Sequence, residues 1–231
     1  MKTLGLIGGM SWVSTIDYYK YINEGINAKL GGLNFAQCLI YSFNYQEIVS
    51  NGQSGNIEAS QQRLEDIAAM LEADGADAIV LCANTAHMAA ERLEKRLKIP
   101  VIHIGTVTAT AVKKQGLNKV ILLGTKFTME KDFIKDKFRE QEIDVLVPGE
   151  EDRIFIHHTI HEELGRGLVK PETKTRYLQI INDLVAQGGQ GVILGCTEIP
   201  LLIDQSDLSI PAFDTMKIHA DAAVGFVLQH S

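Results

Sequence analysis

Apolar runs alternate with amphipathic stretches from the start of the chain. Thr-Leu-Gly-Leu-Ile at 3–7 reads as a buried strand, and the stretch from Trp12 to Leu30 reads as a long amphipathic helix. The apolar run 38–43 is the next strand. In 57–75 the residues Leu64, Ile67, Ala68 and Leu71 fall on one helical face, and Gly75 ends the helix. A third strand over 78–82 and a third helix over 86–97 complete the half. Strand and helix alternating three times is the pattern of a parallel α/β sheet.

The second half repeats it, with strands at 119–124, 143–147 and 191–196 and helices from about Met129, through 159–165 and over 172–189. Gly75 stands seven residues before Cys82, and Gly189 seven before Cys196, so both pairs share one offset of 114 residues. Gly8 and Gly124, each closing the first strand of its half, are offset by 116. A duplicated unit is expected rather than a solenoid, since there are two copies only. The expected fold is therefore α/β, with two pseudo-symmetric parallel-sheet domains: 1–98 plus 209–231, and 99–208. The chain enters the second domain through 99–105 and returns to the first through 210–229. No low-complexity linker intervenes, so the domains are expected to face each other across a cleft lined by the carboxyl ends of strands, where such sheets take ligands.

Composition narrows the function classes. The 231 residues are 45% hydrophobic and 22% charged, which suits a globular protein with a real core. The net charge is −7 with no basic cluster, which argues against nucleic acid or an anionic membrane as partner. The apolar run at the N-terminus is too short for a signal peptide, and no run approaches the length of a membrane span. Cysteines at 38, 82 and 196 are odd in number and widely spaced, which is no disulfide framework. A reducing cytoplasm is the expected compartment, where a thiol is free to act as nucleophile or base.

Cys196 ends a strand, and the segment after it begins a helix or turn, where unpaired N–H groups favour a thiolate. Thr197 and Glu198 add polar groups there. Cys82 ends the matching strand of the first half, followed by Ala83, Asn84, Thr85 and His87. Asn84 and Thr85 are capping residues by position, and the same groups can hold a carboxylate. Successive strand residues face opposite ways, so if Ala83 looks into the cleft, Cys82 looks away. Cys38, without polar neighbours, reads as core. The loop after the first strand, Gly-Gly-Met-Ser at 8–11, lacks the glycine spacing of a dinucleotide site, and no acidic residue closes the second strand. It can still present Met10 and Ser11 to a small ligand, as Thr125 and Thr128 do in the second half. His157, His158 and His161 suggest a metal at first sight, but no His-Glu-x-x-His or third ligand accompanies them, and a solvated helix face is expected.

Four motifs taken in order, Gly-Leu-Ile-Gly-Gly-Met-Ser-Trp at 5–12, Asn-Thr-Ala-His at 84–87, Leu-Leu-Gly-Thr-Lys-Phe-Thr-Met at 122–129 and Gly-Cys-Thr-Glu-Ile-Pro-Leu-Leu at 195–202, span nearly the whole chain. Together they resemble the aspartate/glutamate racemase family, in its bacterial amino-acid racemase branch. The resemblance implies two similar α/β domains and an amino-acid substrate. It implies no pyridoxal phosphate and no metal, and commonly a homodimer. It implies two acid/base groups, usually cysteines, one removing the α-proton and the other returning a proton to the opposite face. Cys196 matches the second of these thiols. The first normally stands immediately before Asn-Thr, where this chain has Ala83, with Cys82 one place earlier. A carbanion-like state needs donors on the substrate carboxylate, and Asn84, Thr85, Thr197 and the N–H groups after each strand are the candidates. For an acidic side chain, 42–50 offers Gln46 and Glu47 and no arginine, and in 162–170 Arg166 is the cation before Lys170, so such a side chain is held by Arg166, by hydroxyls, or is not the preferred substrate. A broad-specificity racemase fits these residues equally well. The rivals are a single-thiol decarboxylase or isomerase of the wider superfamily and a binding protein that kept the site without its chemistry.

Overall fold

The computed structural model describes residues 1–229. The chain forms two compact units, one of Met1–His103 together with the segment from His219 onward, the other of Ile104–Ile218.

The first unit contains β1 (Thr3–Gly8), α1 (Trp12–Leu30), β2 (Gln37–Ser42), α2 (Tyr45–Gln53), α3 (Ile57–Ala73), β3 (Ala78–Leu81), a 3-10 helix (Thr85–Ala89) and α4 (Ala90–Arg96). Its sheet is parallel, in the order β2-β1-β3. β1 and β3 are buried almost throughout, which is why both read as continuous apolar runs. Val101 adds a single parallel bridge beside Ile79, so the sheet extends one step past β3. Arg92 of α4 makes a bidentate pair with Glu58 and reaches the buried Glu65, tying α4 to α3.

The second unit contains α5 (Ile104–Lys114), β4 (Lys119–Gly124), α6 (Lys126–Glu130), α7 (Asp132–Arg139), β5 (Asp144–Leu146), α8 (Glu150–Glu162), α9 (Pro171–Ala186), β6 (Val192–Gly195) and β7 (Ala212–Asp214). Its sheet runs β5-β4-β6-β7, again all parallel. α10 (Thr215–Leu228) begins here and continues into the first unit from His219.

The duplication extends further than the cysteine offset. Ile-Pro occurs at 99–100 and again at 210–211. The Pro100 carbonyl accepts from Ile79 N–H and the Pro211 carbonyl from Val192 N–H, each at 2.9 Å. Val101 thus stands beside β3 as Ala212 stands beside β6. The helix after each of these steps is credited to the other unit: α5 to the second and most of α10 to the first. These pairings carry the unit boundaries five and ten residues beyond the positions expected from the sequence.

The helix expected from Met129 is two helices, α6 and α7, because Lys131 is extended (φ −81°, ψ 161°). The helix expected over 86–97 starts as the 3-10 turn, and only α4 is α-helical.

Candidate active site

The second unit's strand ends are set by a glycine pair. Gly124 and Gly195 are register partners on β4 and β6. A Cβ on Gly195 would stand 2.6 Å from the Leu123 carbonyl, and one on Gly124 would stand 2.9 Å from the Gly195 carbonyl. Only glycine lets the two strands finish this close together, so Thr125 and Cys196 both leave the sheet at one level.

Cys196 is buried, 8% exposed, against the cluster that holds Leu194, Ile199 and Tyr177. Its thiol donates to Glu198 Oε2 at 2.9 Å, and the Thr197 hydroxyl donates to the same oxygen at 2.8 Å. Burial pushes the Cys196 thiol well above its ordinary range, and the Glu198 carboxylate pushes it the same way. The backbone N–H groups of Glu198 and Thr197 pull in the other direction and are outweighed. The segment after Cys196 forms only a three-residue 3-10 helix, Ile199–Leu201, with Pro200 in its first turn. The helix N-terminus expected to stabilise a thiolate is therefore replaced by a carboxylate that takes the thiol's hydrogen bond.

Three substrate-side residues expected from the sequence, Thr125, Thr128 and Arg166, have other partners. Thr128 is fully buried, with its methyl beneath the Gly124–Gly195 pair and its N–H donating to Thr125 Oγ1 at 3.4 Å. The two hydroxyls lie 3.1 Å apart, so Thr125 is the N-cap of α6 and Thr128 is packing. Arg166, in the 3-10 helix Leu164–Arg166, pairs with Glu162 at 2.6 Å on the surface. His157 is half-buried and its Nδ1 accepts from Lys126 N–H at 3.3 Å; its ring lies 4.5 Å from that of His161, while His158 is exposed.

In the first unit, the turn after β1 is held by backbone approach. Gly9 has φ +84°, and a Cβ there would lie 2.3 Å from both N and O of Phe43. Its N–H donates to Thr15 Oγ1 at 2.8 Å, and the same hydroxyl donates to the Ser11 carbonyl. Ser11 is the N-cap residue of α1, yet its side chain makes no capping bond. Met10 and Ala83 both pack on the buried cluster that contains Phe43.

At the end of β3, Cys82 is fully buried with Sγ 3.8 Å from the Val80 carbonyl. Burial drives its thiol far up, and drives the Cys38 thiol on the edge strand up to about 11. Ala83, next along, is half-buried, as is Thr85, and Asn84 is buried. Asn84 is at the N-cap position in a helical conformation (φ −57°, ψ −49°), and its side chain makes no capping bond. The default capping role does not apply, because a 3-10 turn starting from a helical residue does not aim the side chain back at its own N–H groups.

Two features here lay beyond sequence reading. Arg63 of α3 donates to the Tyr41 hydroxyl at 3.0 Å, beside a small hollow lined by Phe43, Glu47, Asn51 and Ser60. This brings a guanidinium to the 42–50 segment, from the end of β2 into α2, that has none of its own; a separation of 22 residues hides it. Buried His87, His103 and His219 also meet beside Tyr18, contributed by four separate stretches of the first unit.

The sequence profile of the Asp/Glu/Hydantoin racemase family matches residues 7–223. A crystal structure from Yersinia pestis, proposed to be an Asp/Glu racemase, is 43% identical, covers 99% of this chain and 100% of that one, and superposes with a TM-score of 0.94. An aspartate racemase homologue from Pyrococcus horikoshii OT3 is 35% identical over 98% of this chain and 99% of that one, with a TM-score of 0.84. A broad specificity amino-acid racemase of Bacillus subtilis (strain 168) is 22% identical over 98% of this chain and 99% of its own length.

Proposed function

The chain belongs to the Asp/Glu/hydantoin racemase family, and from that premise we propose that it inverts the α-carbon of a small amino acid by removing and returning its proton. Aspartate or glutamate is the proposed substrate class, and neither pyridoxal phosphate nor a metal takes part. The observation that carries the reading is the Cys196 thiol bonded to Glu198 at the end of β6.

An α-proton is very weakly acidic, so the base must be strong and its own proton must have somewhere to go. Glu198 is the acceptor. As the thiol proton passes to its carboxylate, the Cys196 sulfur takes the α-proton, a new S–H forms, and the electron pair of the C–H bond moves into the substrate carboxylate. Return along the same path puts the proton back on the face it left and gives exchange only; inversion takes its proton from the opposite face, where the Thr85 hydroxyl or water is the proposed donor. Donors aimed at that carboxylate lower the barrier, since charge grows there in the transition state. Asn84, Thr85, Ser11 and Thr197 are the proposed donors. We assign no role to Cys82.

Glu198→Gln separates this relay from simple packing. The amide keeps the shape but cannot take the thiol's proton, so turnover falls. With the negative charge gone, the thiol also ionises at lower pH than in the parent, because that charge is one of the causes holding it up. Titration of thiolate absorbance alongside kcat checks both; parental kcat in Glu198→Gln removes the relay.

Arg63 supports an acidic side chain as substrate, and the likeness to a broad specificity racemase supports a wider range. A second reading, protonation of a carbanion from one face only, is favoured by Ala83, which carries no acid or base. Three free thiols fit a reducing cytoplasm, and assembly as a homodimer belongs to the same proposal. The test is Cα exchange in deuterated water over a panel of L- and D-amino acids, read by NMR and chiral chromatography. Exchange with inversion of either enantiomer of aspartate or glutamate is expected. Exchange that never inverts would favour the one-face reading, and no exchange with any member would end the proposal.

A further inference from the structure

His87 is 1% exposed, and its Nδ1 lies 3.0 Å from the Ala83 carbonyl. A carbonyl can only accept, so Nδ1 carries the hydrogen. The ring of His103 stands 4.9 Å away and that of His219 5.4 Å away, both edge-on. His219 has the opposite tautomer: its Nε2 donates to the Ile102 carbonyl at 2.6 Å, and its Nδ1 accepts from the Tyr18 hydroxyl at 2.8 Å. Burial holds His87 and His219 down to about 3, and the neighbouring imidazoles add to it, so these two rings stay neutral.

While His219 donates to the Ile102 carbonyl, His87 Nδ1 is a fixed donor to the Ala83 oxygen. That oxygen belongs to the residue at the end of β3 where an acid/base group is expected and Ala83 stands. In a trans peptide the carbonyl and the following N–H point in opposite directions. Turning the Ala83 carbonyl inward onto His87 therefore turns the Asn84 N–H away from the array. We propose that His87 is a positioning residue, acting through the Ala83 carbonyl to aim the Asn84 N–H at the substrate's α-carboxylate. This rests on the racemase reading above. The negative charge that grows on that carboxylate during proton removal makes the aim matter more in the transition state than in the bound substrate.

Asparagine and glutamine test the geometry. The amide nitrogen of Asn overlays imidazole Nδ1, and that of Gln overlays Nε2. His87→Asn keeps a donor on the Ala83 carbonyl; His87→Gln and His87→Ala do not. Loss of an aligned oxyanion donor typically costs about 10²–10³ in kcat, so a donor left in place but misaimed should cost about tenfold or more. We expect kcat to fall by at least about tenfold in His87→Gln and His87→Ala, with a smaller change in KM, and to be largely restored in His87→Asn. Equal kcat in the Asn and Gln variants overturns the inference, whatever their melting temperatures. Should the variants not fold, histidine-labelled parent protein decides. Long-range proton–nitrogen spectra are expected to show His87 as the neutral Nδ1–H tautomer and His219 as Nε2–H, and an Nε2–H tautomer at His87 overturns it. A parent enzyme that exchanges no amino-acid α-proton fails the racemase reading itself; active parent with matching Asn and Gln variants fails this inference alone.

Discussion

Cys196→Ser lowers turnover by about 10²–10⁴-fold while the protein stays folded, the range in which positioned acid/base groups contribute. A serine hydroxyl is a far weaker acid than a thiol, so little of it is ever the anion that could remove an α-proton. The replacement otherwise changes little. It is nearly isosteric, and the new hydroxyl keeps Glu198 Oε2 as its partner at the end of β6. A buried hydroxyl with a partner avoids the cost of about 1–3 kcal/mol that an unsatisfied one incurs. The measurement is kcat on the substrate found in the exchange panel, with melting temperature and ligand affinity as controls. Near-parental turnover in folded protein would take Cys196 out of the chemistry.

Exchange of the α-proton is expected to outrun inversion by about 10²-fold or more in the parent protein, if it works as proposed, because one of the two expected acid/base positions is an alanine. A single thiol can remove the proton, trade it with solvent and return deuterium to the face it came from. Inversion needs a second donor, which Ala83 itself cannot be; the Thr85 hydroxyl or water is the proposed one. Ala83→Cys is expected to raise the ratio of inversion to exchange. Cys82→Ala should do much less than Cys196→Ala, because Cys82 is fully buried and turned toward the Val80 carbonyl. Deuterium incorporation by NMR and enantiomer ratio by chromatography, taken from the same samples, give both rates. If Cys82→Ala abolished inversion and Ala83→Cys had no effect, the assignment of the two positions would be reversed.

The strands at the heart of each sheet were legible because they are buried on both faces. β4 matches the apolar run 119–124 residue for residue, and β1 exceeds its run by one. α2 left no trace, being nine residues long with few apolar positions, and it starts from the Asn44 cap. β7 has three residues and takes its place from pairing with β6 rather than from any pattern of its own. In the site, local motifs carried what is local: Cys196, Thr197 and Glu198 lie within three consecutive positions and do interact. Thr128 shows the limit of such reading, since a hydroxyl beside a strand end can as well be sealed under a glycine pair. The histidine array was hidden altogether, because Tyr18, His87, His103 and His219 have nothing in common until the chain is folded.

That most of α10 belongs to the first unit has a cost in time. Tyr18 of α1 bonds to His219, and Gly25 of α1 faces Val224. On the ribosome these residues emerge more than a hundred positions after the rest of their unit, which ends at His103. At about 5–20 residues per second the wait is roughly 6–20 s. Through that interval the nascent first unit has its strands and α1 but not the helix that covers them. Vectorial synthesis thus cannot finish the two halves one after the other; the first closes last, and an apolar face of α1 must be kept from other chains until it does.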